Sequence, residues 1–152
     1  MKIIFLDIDG VLNDRSRDPA AESSSFDRAA VARLNRVLAT TGAKLVLSSS
    51  WRYVILDGTM TLGGFDFLLR THGMAQESLI GVTCEDEVVP GRAAQIRRWL
   101  DQHGPCGVWA AVDDHDLALG EDAWRQVRTQ WELGLTDADA DRLIEILGGS
   151  SA

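Results

Sequence analysis

The segment Ile3-Ile-Phe-Leu6 is apolar at every position and runs straight into Asp7-Ile-Asp9-Gly10. A strand with one face in water alternates apolar and polar side chains. A run without alternation needs cover on both faces, as in a central strand of a parallel sheet. Lys2–Leu6 is therefore expected to be such a strand, and its carboxyl end delivers two acids.

The chain repeats this pattern. Ala30, Val31, Leu34, Val37 and Leu38 follow i, i+3, i+4 spacing and predict a helix over roughly 26–41, closed by Gly42. Lys44–Leu47 reads as a second buried strand, Phe65–His72 as a short helix stopped by Gly73, and Ser78–Thr83 as a third strand. Ala93–His103 reads as a helix stopped by Gly104, with Ile96, Trp99 and Leu100 on one face. Val108–Val112 is a fourth strand and Trp124–Thr129 a fifth. Thr136 caps a last helix with a buried stripe of Ala140, Leu143, Ile144 and Leu147. Strands alternating with helices define an α/β protein: a three-layer, Rossmann-like parallel sheet of about five strands with helices on both faces. At 152 residues the chain supports one core. A single domain is expected over 1–147, with 148–152 a frayed tail.

Composition narrows the function classes. The formal net charge of −8 argues against broad, non-specific nucleic-acid binding, which depends on neutralising phosphates, but leaves room for a local basic pocket. No apolar run approaches the ~18 residues of a membrane span, and Asp7 comes too early for a signal-peptide core. A cytoplasmic protein is expected, with no membrane contact and no partner protein in evidence. Cys84 and Cys106 lack metal-ligand spacing and read as free thiols. His72, His103 and His115 are scattered and do not suggest a zinc site.

In open α/β sheets ligands bind beyond the carboxyl ends of the strands, so chemistry is sought there. Asp7 and Asp9 lie two apart after the first strand and repel unless a cation intervenes. A hard cation such as magnesium, with carboxylate and phosphate oxygens as ligands, resolves that repulsion. Gly10 permits close approach of a ligand to the backbone. Ser48-Ser49-Ser50 follow the second strand, and Arg52 adds a forked donor suited to phosphate; one of the serines equally suits a capping role. Arg92 opens the helix after Pro90-Gly91, where the helix dipole is positive, and so calls for an anionic partner. Asp113, Asp114 and Asp116 follow the fourth strand.

The order acid pair, hydroxyl, base, acid pair resembles the haloacid dehalogenase (HAD) superfamily of phosphohydrolases over the whole chain. Asp7-Ile-Asp9-Gly10-Val11-Leu12 is similar to its first motif. The resemblance implies that Asp7 is the nucleophile that becomes an aspartyl-phosphate and Asp9 the general acid and then base. It implies Ser48 as the hydroxyl that binds the transferring phosphoryl group, with Ser49 its neighbouring alternative. Arg92 would stand at the third motif, where most members carry lysine; Arg97 and Arg98 are weaker choices. It implies magnesium as cofactor, held by Asp7, Asp9 and Asp114, with Asp113 orienting Arg92 or reaching the metal through water. Leu47-Ser-Ser-Ser-Trp-Arg52, Ile80-Gly-Val-Thr83, Val112-Asp-Asp114 and Gly134-Leu-Thr136 further resemble the HAD domain of bacterial multidomain RNA-repair proteins.

Neither 10–47 nor 53–90 leaves room for a separate cap domain once its core elements are placed, although 13–25 and 53–63 are candidate flaps. A site with a minimal cap or none suits a phosphate on a large substrate such as a nucleic-acid end; small substrates usually need a lid. Trp51, Trp109 and Trp131 are candidates for stacking on a base, Trp109 being also a core candidate. Two rivals carry less. A receiver-type signalling module needs an aspartate ending the third strand, where Gly81-Val-Thr83-Cys84 stands instead. A non-catalytic HAD-like module fits poorly with usable residues at all four motifs. Phosphoprotein or small-molecule substrates, and phosphotransfer to an acceptor other than water, remain alternatives to hydrolysis of a nucleic-acid end.

Overall fold

The computed structural model describes residues 1–13, 26–83, 91–104 and 107–148. Five parallel strands form one sheet: β1 (Lys2–Leu6), β2 (Lys44–Leu47), β3 (Leu79–Val82), β4 (Val108–Asp113) and β5 (Gln126–Arg128). Their order is β3-β2-β1-β4-β5. The winding therefore reverses between β1 and β4, and an open α/β sheet places its ligand crevice at such a switch point. The helices are α1 (Arg28–Thr41), α2 (Tyr53–Leu56), α3 (Leu62–Thr71), α4 (Arg92–Gln102) and α5 (Asp137–Gly148).

The unbroken apolar run of β1 has the expected cause. Ile4 and Leu6 enter one core, shared with Leu45, Leu47, Ala110 and Val112 and covered by α1, α3 and α5. Ile3 and Phe5 point to the opposite core, with Val46, Trp109, Ala111 and residues of α4. Successive strand residues face opposite sides, so both sets must be apolar. In the second core the Phe5 ring meets Trp99 and Trp109 edge-on, at 5.6 and 5.7 Å between centroids.

Local signals set the helix ends. Asp27 accepts a hydrogen bond from the Ala29 N–H, and Gly42 closes α1 in the left-handed region at φ 72°. Thr136 and Asp139 cap α5 reciprocally, each backbone N–H donating to the other's side chain.

Four expectations shift. α3 begins at Leu62, ahead of Phe65, because the Thr61 hydroxyl accepts from the Gly64 N–H and carries the glycine pair into the first turn. The Trp124–Thr129 strand shortens to Gln126–Arg128. Trp124 sits instead in a 3-10 turn over Gly120–Arg125, exposed and covered by the Arg125 guanidinium. The fully buried stripe of α5 uses Ile146 where Ile144 was expected; Ile144 packs only at the margin of the core. Gly148 is the last residue of α5, so the expected tail loses its first residue to the helix.

Of the candidate flaps, 14–25 lies outside the described residues. The 53–63 stretch folds inward: Val54, Ile55, Met60 and Leu62 pack against the larger core. Among the described residues no cap domain is built, and no helix is long and apolar enough to cross a membrane.

Candidate active site

Backbone pairing continues past the strand tips and fixes the residues that follow them. The Asp7 N–H donates to Val112 O at 3.1 Å, the Ser48 N–H to Leu6 O at 2.8 Å, and the Thr129 N–H to Asp113 O at 3.1 Å. Asp7, Ser48 and Asp113 thus stand on the rigid sheet rather than on free loops. All three are buried.

Asp7 is the centre of charge. Its Oδ1 accepts the Ile8 N–H at 2.9 Å, and its Oδ2 lies 3.3 Å from Arg92 Nη1. Burial pushes its pKa from the ordinary 3.8 up to about 8, aided by the Asp113 and Asp114 carboxylates and opposed by Arg92. Arg92 also pairs through the same Nη1 with Asp113 Oδ2, and the two carboxylates raise its pKa against the effect of burial. The other Asp113 oxygen accepts the His115 N–H at 3.0 Å. Both oxygens of Asp113 are therefore engaged, and its geometry is that of a residue orienting Arg92.

Asp114 differs. Its Oδ1 is buried and in no hydrogen bond among the described residues, although His115 Nδ1 lies 3.1 Å away. A buried carboxylate oxygen without a donor is costly unless a cation meets it. Gly10 makes room for this side chain: a Cβ there would fall 2.7 Å from Asp114 Cγ, and its φ of 81° already favours glycine. The buried Asp7 and Asp114 carboxylates have only Arg92 and the exposed His115 ring as cationic neighbours among the described residues, and a hard divalent cation would offset the remaining acid charge. Asp7 and Asp114 offer carboxylate oxygens of the kind magnesium takes. Asp113, Asp114 and His115 also offer ligand atoms within 4.8 Å of one another. His115, whose sequence spacing offers no partner histidine, thus stands at the edge of the acid group.

The Ser48–Arg52 turn divides its work. Ser48 Oγ is buried and in no hydrogen bond among the described residues. Ser49 Oγ is used locally, accepting the Trp51 N–H at 3.2 Å. Arg52, expected as a phosphate donor, is buried, with its Nη groups turned to its own segment and its Nε in no hydrogen bond among the described residues. Its Nη1 donates to Ser49 O at 3.1 Å, its Nη2 to the Tyr53 hydroxyl at 3.3 Å, and it lies over the Tyr53 ring. Its bonds brace the turn because the chain doubles back there as a 3-10 segment, Ser50–Arg52.

Asp9 is half-buried, and its Oδ1 accepts from Asn13 Nδ2 and Trp51 Nε1. Sequence reasoning passes over Asn13, although its i+4 spacing from Asp9 places it at the close of the same loop. It treats Trp51 only as a base-stacking ring. Trp109 is core, and Trp131 lies in the turn between β5 and α5. Thr129, also passed over, donates its hydroxyl to Gly10 O at 2.8 Å and ties the loop to β5. Arg97 points elsewhere, to Leu119 O. Cys84, Pro90 and Cys106 lie outside the described residues. Beside Arg92 an open pocket of about 420 Å³ is lined by Gly91, Arg92, His115, Asp116 and Leu117.

A five-stranded parallel sheet with an acid pair after β1, a hydroxyl after β2, a base at the start of α4 and an acid pair at the end of β4 defines a HAD-superfamily domain. More narrowly, residues 3–140 match the family described as the HAD domain in Swiss Army Knife RNA repair proteins, and the chain belongs to that family. No curated protein and no solved structure matches it.

Proposed function

We propose that this domain is a magnesium-dependent phosphomonoester hydrolase that works through an aspartyl-phosphate on Asp7. The observation that carries the reading is the buried Asp7 carboxylate, paired with Arg92 and flanked by Asp114, each on an element that points at the β1/β4 switch point. Asp7, Asp9 and Asp114 are the residues that would hold the metal, Asp9 through an oxygen other than the one that carries the proton, and Asp113 holds Arg92. When bound, magnesium supplies positive charge that keeps Asp7 ionised and withdraws electron density from the phosphoryl group.

The chain's own residues do the rest. An Asp7 oxygen attacks phosphorus, the bond to the leaving oxygen breaks, and Asp9 gives that oxygen a proton. Ser48 Oγ, in no hydrogen bond among the described residues, and the Arg92 Nη groups offset charge on the transferring oxygens. Water then loses a proton to Asp9 and attacks phosphorus; the Asp7–phosphorus bond breaks, releasing inorganic phosphate and the free carboxylate.

The open approach and the family support one substrate class. Without a cap among the described residues, and with a pocket open beside Arg92, a phosphate at the end of a polymer can enter where a small ester would stay wet. The RNA-repair setting named for the family favours a 3′- or 5′-phosphorylated nucleic-acid end. The test is a screen of phosphorylated oligonucleotides, nucleotides, sugar phosphates and phosphopeptides with magnesium or with chelator. Magnesium-dependent release of phosphate from oligonucleotide ends, absent in Asp7→Asn, is expected. Wild-type rates in Asp7→Asn would sink the mechanism.

A further inference from the structure

β5 brings one more cation to the site. Arg128 stands opposite Asp113 in the β4–β5 register, and its Nε donates to Asp114 O at 3.1 Å. Val112 and Val127 enter the larger core, so Asp113 and Arg128 lie on the other face of the sheet, the face that α4 covers. Gln126, two residues before Arg128, holds the same segment: its Oε1 accepts the Leu117 N–H at 3.0 Å, and its Nε2 donates to His115 O at 2.6 Å. The two β5 side chains thus fix residues 114–117, of which the last three line, with Gly91 and Arg92, the open pocket of about 420 Å³. Arg128 is exposed, and its Nη groups bond to nothing among the described residues. Arg33, Arg36, Arg70, Arg92, Arg125 and Arg142 each pair with a carboxylate. Acids outnumber bases 23 to 15 in the chain, yet the acids nearest Arg128 are engaged elsewhere. Asp113 turns to Arg92, Asp114 to His115 and Asp116 to the Ala118 N–H.

We propose that Arg128 is a specificity residue that binds the phosphodiester nearest the phosphate being removed, an inference that rests on the phosphatase reading above. The bond from Nε to Asp114 O turns the side chain back toward β4 and fixes the guanidinium. The forked Nη edge remains, and it matches two oxygens of one phosphate. Arg92 bridges the acids at the tips of β1 and β4, and Arg128 stands one strand further out. Two strand spacings, about 10 Å, separate β5 from β1, so the two cations can meet successive phosphates of one chain. The phosphate ester of a small alcohol ends before it reaches Arg128. Exposure suits this role, because a phosphodiester within a polymer is met at an open rim. A net charge of −8 repels a polyanion at long range, so its approach needs a local cation that no acid of the chain already neutralises.

The test compares two dinucleotides that carry the same terminal phosphate, at whichever end the wild type hydrolyses. One has the natural phosphodiester linkage and the other an uncharged methylphosphonate linkage. The readout is the ratio of kcat/KM for the charged over the neutral substrate. The wild type is expected to favour the charged linkage about tenfold, the effect of one charge-assisted contact. Arg128→Gln should bring the ratio to about one, and Arg128→Lys, which keeps the charge without the fork, should restore part of it. Added salt should shrink the wild-type ratio and leave that of Arg128→Gln where it was. An arginine that only braced residues 114–117 would slow both substrates together and leave the ratio unmoved. The ratio is also independent of how much protein is folded; should Arg128→Gln fail to fold altogether, Arg128→Met carries the same comparison. A wild-type ratio near one, or a wild-type preference that survives removal of the guanidinium, overturns the assignment. So does a wild type that hydrolyses 4-nitrophenyl phosphate and neither dinucleotide. A wild type inert on all three with magnesium overturns the phosphatase reading instead, so the two failures are told apart.

Discussion

Arg92 meets Asp7 and Asp113 through a single nitrogen, Nη1, which lies 3.3 Å from Asp7 Oδ2 and in contact with Asp113 Oδ2. One cation thus stands between two buried acids at the tips of adjacent strands. A contact made through one atom uses charge more than the forked shape of a guanidinium, and an ammonium supplies charge at one point. Arg92→Lys is expected to keep phosphatase activity within about tenfold of wild type, whereas Arg92→Ala should lose about a hundredfold or more in kcat. Steady-state kinetics of the two variants side by side decide this. Equal losses would mean that the fork matters.

Asp7 makes the metal-free protein sensitive to pH in an unusual direction. Its pKa is about 8 in the fold against an ordinary 3.8. Between those values the folded chain holds a proton that the unfolded chain has released, so folding takes one up. Stability contributed by this group is complete below the unfolded value and declines as pH rises toward 8, by at most about 1.4 kcal/mol per pH unit. Denaturant midpoints in chelator should therefore fall from pH 5 to pH 8, and Asp7→Asn should flatten that slope. Magnesium, by favouring the ionised carboxylate, should stabilise the protein more at pH 8 than at pH 6. An Asp7→Asn profile parallel to wild type would show that other groups govern the dependence.

Two glycines separate backbone strain from steric clash. A methyl group on Gly42, at φ 72°, would have nothing within 4 Å, so Gly42→Ala should cost only the left-handed conformation, about 1–2 kcal/mol. Gly10, at φ 81°, would set a methyl 2.7 Å from Asp114 Cγ. Gly10→Ala should add about 1–3 kcal/mol of overpacking to that strain and push Asp114 aside. Thermal melting measures the first effect, and magnesium titration measures the second. A Gly10→Ala protein that keeps wild-type magnesium affinity would show that Asp114 is not a ligand.

The sheet was legible because β1, β2 and β4 lack alternation, and only burial on two faces permits that. The strand-end rule then located Asp7, Ser48, Asp113 and Asp114 without reference to any contact. What stayed hidden depends on chain reversal. Composition shows three serines in a row and does not show that the 3-10 turn engages Ser49 Oγ and the Arg52 Nη groups while leaving Ser48 Oγ in no hydrogen bond among the described residues. The glycine pair at 63–64 reads as a break until Thr61 is seen to cap it. The grip of Trp51 on Asp9 spans two strand ends and has no trace in local spacing.

Ser48 and Ser49 are adjacent, buried and alike in chemistry, yet they should respond oppositely to alanine. Ser49 Oγ accepts the Trp51 N–H, so Ser49→Ala removes a turn cap and is expected to cost about 0.5–2 kcal/mol of stability. Ser48 Oγ is buried with no hydrogen bond among the described residues. Burying an unpaired hydroxyl is unfavourable by about 1–3 kcal/mol, so Ser48→Ala should leave stability unchanged or raise it. The same variant should lose activity, because the hydroxyl without a partner among those residues is the one open to a phosphoryl oxygen. Removing one such donor costs about 100–1000-fold in kcat. Melting curves and kcat for the two variants form a crossed pair: Ser48→Ala stable and slow, Ser49→Ala weaker and less impaired. A Ser48→Ala protein that melts lower and turns over normally would assign Ser48 to the fold and remove it from the site.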